Sequence, residues 1–242
     1  MGCEDLKISG ITPFTGTDYP GKLSCAVFVQ GCPWKCLYCH NPHMQPRRFD
    51  PRYEHSDWES LAAFLKKRKG LLDAAVFSGG EPTMDPALPD AAKAVKEMGF
   101  LIGLHTSGCY PERLKEVLPY VSWAGLDIKA PPMDRAVYTR IAGTKGEYAP
   151  NEKALESLDI LLRSGVPFEC RTTAHPAYLS AEQILETASF LKNRGVAAYA
   201  LQIYHRPEGL DLPYSDPDRN YPGPEIEKTL TGLFPSFTLR RA

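Results

Sequence analysis

The chain has 242 residues, enough for one large α/β domain with a buried core. Its 28 Lys and Arg stand against 29 Asp and Glu, which leaves no field to draw it to nucleic acid or anionic lipid. The opening Met1-Gly2-Cys3-Glu4-Asp5-Leu6 lacks the basic and apolar stretches of a secretory signal, and no apolar run approaches the ~18 residues of a membrane span. A cytoplasmic protein is expected, in which seven cysteines are metal ligands or buried small hydrophobes rather than a disulfide framework.

Short β-branched or aromatic runs alternate with segments of helical period, the pattern of parallel βαβ units. The first strand is expected over 23–29, a nearly continuous apolar run that leads straight into Cys32, Cys36 and Cys39. Asp57 is expected to cap a helix running to Lys69, with Trp58, Leu61, Phe64 and Leu65 on one face and Gly70 as its stop. A strand over 74–78, halted by Gly79-Gly80-Glu81-Pro82, and a helix over 87–98 follow. Then come a strand at 101–106, a short helix at 112–118, and a strand at 121–129 broken by Pro131-Pro132. Asn151 is expected to cap a helix to Arg163, with Gly165 as its stop and a strand at 168–173. Ser180 with Gln183 marks a helix to Asn193, ahead of a strand at 199–204. Residues 206–224 carry five prolines and read as an irregular loop before a last helix at 225–233. Six such units imply a partial or open barrel, a parallel sheet with outer helices. They would form a single domain over 1–242, with 1–22 and 206–242 as extensions on its core.

The cysteines, Gly79 to Glu81, Thr106, Asp127 with Lys129, Arg171 and His205 all fall at or just beyond the C-terminal ends of successive expected strands. That rim is where barrels build active sites. Each residue alone could be satisfying a turn or a surface ion pair; six coincidences on one rim point to a site.

The cysteines follow a C-x3-C-x2-C spacing, whereas structural zinc sites usually close with four ligands in two pairs. Three thiolates on a compact loop suit an iron–sulfur cluster, and three on a cubane would leave one iron free for another ligand. His40 could supply a fourth ligand and close a Cys3His zinc site in a non-catalytic metal-binding module.

Cys32-x3-Cys36-x-Tyr38-Cys39, with an aromatic directly before the third cysteine, resembles the signature of the radical S-adenosylmethionine (SAM) superfamily. The resemblance implies a partial (β/α)6 barrel of the radical SAM type. It also implies a [4Fe-4S] cluster on Cys32, Cys36 and Cys39 whose free iron chelates S-adenosyl-L-methionine, with Tyr38 beside the adenine. Reductive cleavage to methionine and a 5′-deoxyadenosyl radical would follow, the cofactors performing the chemistry and the protein positioning them. Gly79-Gly80-Glu81-Pro82 resembles the superfamily's GGEP motif, where backbone and carboxylate acceptors hold the methionine ammonium and glycines let the strand end approach the ligand. Asp127-Ile128-Lys129 resembles the D-x-K of glycyl-radical-enzyme activases, in which the lysine offsets the methionine carboxylate. Thr106-Ser107-Gly108 resembles their T-x-G, with His105 standing where an aspartate is common, so the role of His105 stays open. Arg171 and His205 resemble the arginine and histidine that flank the bound methionine and ribose.

Within that group, Thr12-Pro13-Phe14, Asp18 through Lys22, Cys39-His40-Asn41-Pro42, Asp127 through Pro131 and Phe168 through Thr173 resemble the activating proteins of anaerobic ribonucleoside-triphosphate reductase. Those segments place His40 and Ile128 among the expected cofactor contacts. Tyr204-His205 followed by Gly209 leans instead toward the pyruvate formate-lyase activases. What the resemblance implies is an anaerobic enzyme that installs a glycyl radical on a protein partner. Because Cys3, Cys25, Cys109 and Cys170 form no auxiliary-cluster pattern, its electron would come from flavodoxin or ferredoxin. The alternative is a radical SAM enzyme acting on a small molecule or a peptide.

Overall fold

The computed structural model describes residues 2–145, 147–207, 209 and 213–241. Strands β1 (Ile8–Thr15), β2 (Ser24–Val29), β3 (Ala74–Gly79), β4 (Leu101–Thr106), β5 (Trp123–Asp127), β6 (Phe168–Ala174), β7 (Ala198–Ile203) and β8 (Ser236–Arg240) form one sheet in chain order. β1 is antiparallel to β2, and β2 through β8 are parallel. β1 and β8 are the two edges and do not pair, so the barrel is open. Helices α1 (Trp58–Arg68), α2 (Leu88–Glu97), α3 (Pro111–Val117), α4 (Arg135–Ala142), α5 (Pro150–Ser164), α6 (Ala181–Asn193) and α7 (Pro224–Leu233) connect the strands.

The expected caps form where the side chains can reach. Asp57 accepts from Ser60 N, and Ser180 with Gln183 makes a reciprocal capping box. Asn151 does not cap α5. Pro150 takes the first helical turn, and the Asn151 amide instead donates to Pro132 O at 3.0 Å, tying α5 to the loop after β5.

Three elements lie outside the expected set. β1 contains Gly10 and Pro13, residues that read as loop but are tolerated on an irregular edge strand, and its register slips at both ends. β8 closes the opposite edge, so each flanking extension contributes a strand to the sheet. α4 follows the Pro131-Pro132 break at once, capped by Asp134 on Val137 N and ended by Gly143 at φ 64°. The expected loop at 206–224 falls partly on residues 208 and 210–212, which lie outside the described residues. No helix among the described residues is long and apolar enough to cross a membrane.

Side chains alternate between two faces along each strand. Ala75, Phe77, Leu104, Leu126, Cys170 and Leu201 pack outward into one large core beneath the helices. Ala74, Val76 and Trp123 point inward, where Tyr19 from the β1–β2 loop joins them and its ring lies 5.4 Å from that of Trp123. Ala74 and Trp123 begin their strands, so this small cluster floors the barrel interior at its N-terminal end. A Cβ on Gly103 would lie 2.8 Å from Val76 and 3.2 Å from the Tyr19 ring, and this packing is what demands a glycine there.

Candidate active site

Between β2 and α1 the chain forms one short 3-10 turn, Pro42–Met44, after the three cysteines, and the backbone of the cysteine loop is held by neighbours on two sides. Gly31 N donates to Met44 O at 2.8 Å and Cys32 N to Gln45 O at 2.9 Å. Gln30 Nε2 gathers the carbonyls of His43, Pro46 and Arg48, and Arg47 bridges Gln30 O to Asp85. On the other side, Lys35 N donates to Ala142 O at 3.0 Å and Leu37 N to Ile141 O at 3.1 Å. A helix leaves its last carbonyls without intrahelical partners, and α4 uses them to grip the cysteine loop.

Cys32, Cys36 and Cys39 are free thiols that line a cavity of about 280 Å³ at the C-terminal ends of the strands. Tyr38, His40, Gly79, Gly80, Thr106, Asp127, Lys129 and Arg171 line it too, so most of the expected site residues meet at one place. Burial pushes the Cys32 and Cys36 thiols up, so neither is a thiolate until a positive centre compensates it. Among the described residues, no three His, Cys, Asp or Glu side chains are placed to share a single metal ion. The compact Cys3His zinc arrangement is therefore not formed, and His40 instead sets its ring edge-on to His205 at 4.6 Å and to Tyr204 at 5.9 Å.

Under the cysteines lies a buried charge network. Arg171 Nε donates to Asp127 Oδ1 at 2.9 Å, and Lys129 Nζ reaches Oδ2 at 3.3 Å and the Tyr38 hydroxyl at 3.4 Å. Gly125 makes room for the guanidinium, since a Cβ there would lie 2.8 Å from Arg171 Cζ. Burial alone would raise the Asp127 carboxyl, but Arg171 and Lys129 outweigh it and hold it at about 2. Burial would likewise lower the Lys129 ammonium, but its acidic neighbours, of which Asp127 is the ionised one, raise it well above its usual value. Two cations against one carboxylate leave a net buried positive charge, which is costly unless an anion answers it.

Three expected contacts are placed differently. The Glu81 carboxylate is fully buried away from the cavity and accepts from Thr83 N and Oγ1, Thr106 Oγ1, and Ser107 N and Oγ. Five donors leave it no capacity for a ligand, so it stitches the turn after β3 to the turn after β4. Ile128 packs in the core, its amide donating to Arg171 O and its carbonyl accepting from Thr172 Oγ1. His205 is exposed and lines a neighbouring groove, meeting the cavity only through His40. The glycines of the GGEP turn also serve a different approach from the one expected. A Cβ on Gly79 would lie 2.5 Å from Val29 N, and one on Gly80 2.4 Å from Gly31 O, so both let β3 close against the root of the cysteine loop.

His105 gains a definite place. Its Nε2–H donates to Asp18 O at 2.8 Å, which leaves Nδ1 to accept from Ser78 Oγ at 3.3 Å. Burial, with Arg171 nearby, lowers its pKa to about 3, so the ring is neutral. Asp18, Trp34, Ser78, Thr173 and Gln202 line the cavity as well and were not singled out from the sequence. Ser78, Thr173 and Gln202 lie one residue from outward-facing core positions near the ends of β3, β6 and β7. The two-residue alternation was their available signal.

A family profile described as the Radical SAM superfamily matches residues 26–191, and the chain belongs to that superfamily. It is an enzyme whose relatives include activators of glycyl-radical enzymes. A protein of Methanocaldococcus jannaschii, provisionally named a glycyl-radical enzyme activating enzyme, is 31% identical over 208 residues, 84% of this chain and 82% of the relative. The pyruvate formate-lyase-activating enzyme of Clostridium pasteurianum is 31% identical over 208 residues, 82% of each chain. Among solved structures, a radical SAM methyltransferase from Sphaerobacter thermophilus superposes with a TM-score of 0.70 at 19% identity, covering 92% of this chain and 67% of that one. Streptococcus suis SuiB bound to its precursor peptide superposes with a TM-score of 0.68 at 14% identity, covering 88% and 47%. At those identities the structures speak to the fold alone, and the chain spans about half the length of SuiB.

Proposed function

We propose that this protein is a glycyl-radical-enzyme activase, holding a [4Fe-4S] cluster on Cys32, Cys36 and Cys39 and S-adenosyl-L-methionine in the cavity beside it. The observation that carries the reading is the convergence of three free cysteines and the Asp127–Lys129–Arg171 network on one cavity at the strand ends. The donor set fits the cofactors: three thiols spread along the wall suit a multinuclear cluster, and the net buried positive charge suits a carboxylate or an anionic cluster. Cys32, Cys36 and Cys39 would hold the cluster, which when reduced would supply the electron for cleavage of S-adenosyl-L-methionine.

The residues of the chain do the positioning. Lys129 offers its ammonium to the methionine carboxylate, and Asp127 keeps it and Arg171 aimed inward. Tyr38 and Trp34, both buried, wall the cavity against water. With Glu81 saturated, the acceptors open to the methionine ammonium on the cavity wall include the backbone carbonyls of the glycine turn, Asp18, Ser78, Thr173 and Gln202. The relatives' names and the segments resembling anaerobic ribonucleotide reductase activators support a glycyl-radical enzyme as the partner, with an anaerobic ribonucleotide reductase as the first to try. The test incubates the reconstituted protein, reduced and anaerobic, with S-adenosyl-L-methionine and that reductase. A glycyl-radical doublet in electron paramagnetic resonance is expected. Release of 5′-deoxyadenosine without a radical on any glycyl-radical enzyme tried would refute the activase reading while keeping the cofactor chemistry.

A further inference from the structure

Trp34 sits between Cys32 and Cys36, is 1% exposed, and walls two cavities at once. On one side lies the cysteine-lined cavity. On the other lies a second cavity of about 360 Å³, lined by Pro33, Lys35, Gly143, Thr144, Lys145 and Tyr148 together with Trp34 itself. The site chemistry described above makes no use of this outer cavity. Pro33, Lys35, Lys145 and Tyr148 are exposed, no carboxylate lines the cavity, and neither lysine has an ion-pair partner among the described residues. The Tyr148 ring lies beside the Trp34 indole, its hydroxyl tied to Cys109 O at 3.3 Å. A proline and a tyrosine ring flanked by two unpaired cations give the apolar centre and charged rim of a protein contact.

We propose that this outer cavity is where an acidic one-electron carrier protein docks to reduce the cluster, an inference that rests on the cluster assignment above. The position argues for it: a carrier seated here is separated from the cysteine cavity by the Trp34 side chain and the cysteine loop alone. The charge pattern argues for an acidic partner, because unpaired surface lysines steer oppositely charged proteins and fix their orientation. Encounter complexes between redox proteins are small, so a contact centred on one modest cavity suffices. The step is simple to balance: the carrier loses one electron, the cluster gains it, and no bond forms or breaks. Of the remaining cysteines, Cys25, Cys109 and Cys170 are buried and Cys3 lies near the N-terminus, without the close spacing of Cys32, Cys36 and Cys39.

The experiment follows bleaching of the reconstituted cluster by stopped flow with two reductants, reduced flavodoxin as the acidic carrier and dithionite as a small one. Lys35→Glu combined with Lys145→Glu is expected to slow reduction by flavodoxin about tenfold at low ionic strength. The difference should fade toward 1 M salt, where the screening length is about 3 Å. The dithionite rate should stay as in the parent. Equal flavodoxin rates in variant and parent would overturn the proposal. If Lys35→Glu perturbs the cluster spectrum, Lys145→Glu decides alone, since it lies off the cysteine loop; an unchanged flavodoxin rate in that variant overturns the proposal as well. Failure of the parent to bind iron or to bleach with dithionite would sink the cluster assignment itself, a distinct outcome.

Discussion

Replacing Gly143 by alanine tests whether α4 is the clamp that shapes the cysteine loop. A Cβ at this position would lie 1.9 Å from Lys35 O and 2.5 Å from Lys35 C, both backbone atoms that no rotamer change can move aside. To reach ordinary contact at 3.4 Å the loop must retreat by about 1.5 Å, which breaks the bonds from Lys35 N to Ala142 O and from Leu37 N to Ile141 O. Each is worth about 1 kcal/mol. The left-handed backbone, at φ 64°, adds about 1–2 kcal/mol for any residue with a side chain. The expected loss is therefore about 3–4 kcal/mol. Gly165 supplies the control, ending α5 at φ 74° with nothing within 4 Å of its would-be Cβ. Gly165→Ala should cost only the strain, about 1–2 kcal/mol. Urea denaturation of the two apo variants gives the stability difference, and iron content with the visible spectrum after anaerobic reconstitution gives the effect on the loop. If Gly143→Ala loses no more stability than Gly165→Ala and reconstitutes like the parent, α4 is not the clamp.

Glu81→Gln places an amide N–H where a hydroxyl or backbone N–H now donates, so the apo protein should lose about 1–3 kcal/mol in urea denaturation; no measurable loss would show that the carboxylate is not the buried tie described. The Asp127 carboxylate, held near 2 against an ordinary 3.8, contributes stability that is present above about pH 4 and lost as pH falls toward 2, at most about 2 kcal/mol. Asp127→Asn should flatten that part of the stability–pH curve, and an unchanged slope would contradict the network. His105, with a folded pKa of about 3 below its ordinary 6.5, is protonated first in the unfolded chain, so it contributes stability above pH 6.5 that is lost as pH falls toward 3. An NMR titration should show its imidazole unprotonated at pH 5; a midpoint near 6.5 would refute the Asp18–Ser78 placement. Cys36→Ala should lose both the brown colour and 5′-deoxyadenosine formation, and a variant that still makes the nucleoside would refute the ligand set.

The six central strands were legible because each is a short apolar run ended by a turn signal, and Gly70 and Gly165 punctuated the helices as their positive φ requires. β1 was not legible, because edge strands escape the pairing demands that keep glycine and proline out of a sheet interior. α4 hid behind Pro131-Pro132, although Asp134 capping Val137 N was a readable start. The rim residues came through as a group, since position at a strand's C-terminal end depends only on strand limits. What failed was the direction in which each one points. Glu81, Ile128 and His205 sit at rim positions yet face a hydrogen-bonded turn, the core and a side groove. Which atoms saturate a carboxylate depends on donors such as Ser107, brought in from the next strand 26 residues away.

That Glu81 is saturated has a consequence for how the cavity must work. A ligand with a free ammonium and a free carboxylate needs one region rich in acceptors and one with an uncompensated cation. The cation is present as Lys129, whose side chain is only 6% exposed and which shares Asp127 with Arg171. Without the GGEP carboxylate, the acceptors on the cavity wall include the Gly79-Gly80 backbone, Ser78, Thr173, Gln202 and Asp18, and Asp18 carries the one carboxylate there besides Asp127 among the described residues. Asp18 is held beside His105 by its own carbonyl, so its backbone is fixed even though its carboxylate, about a third exposed, remains available to the cavity. The segment from Asp18 to Tyr19 thus does two things one residue apart: Tyr19 floors the barrel against Trp123, and Asp18 faces the ligand space above it. Asp18→Asn separates the two roles. It leaves the floor and the carbonyl contact to His105 in place and weakens binding of S-adenosyl-L-methionine only if the ammonium leans on the side chain. Unchanged affinity by equilibrium dialysis would show that the ammonium does not lean on the Asp18 carboxylate.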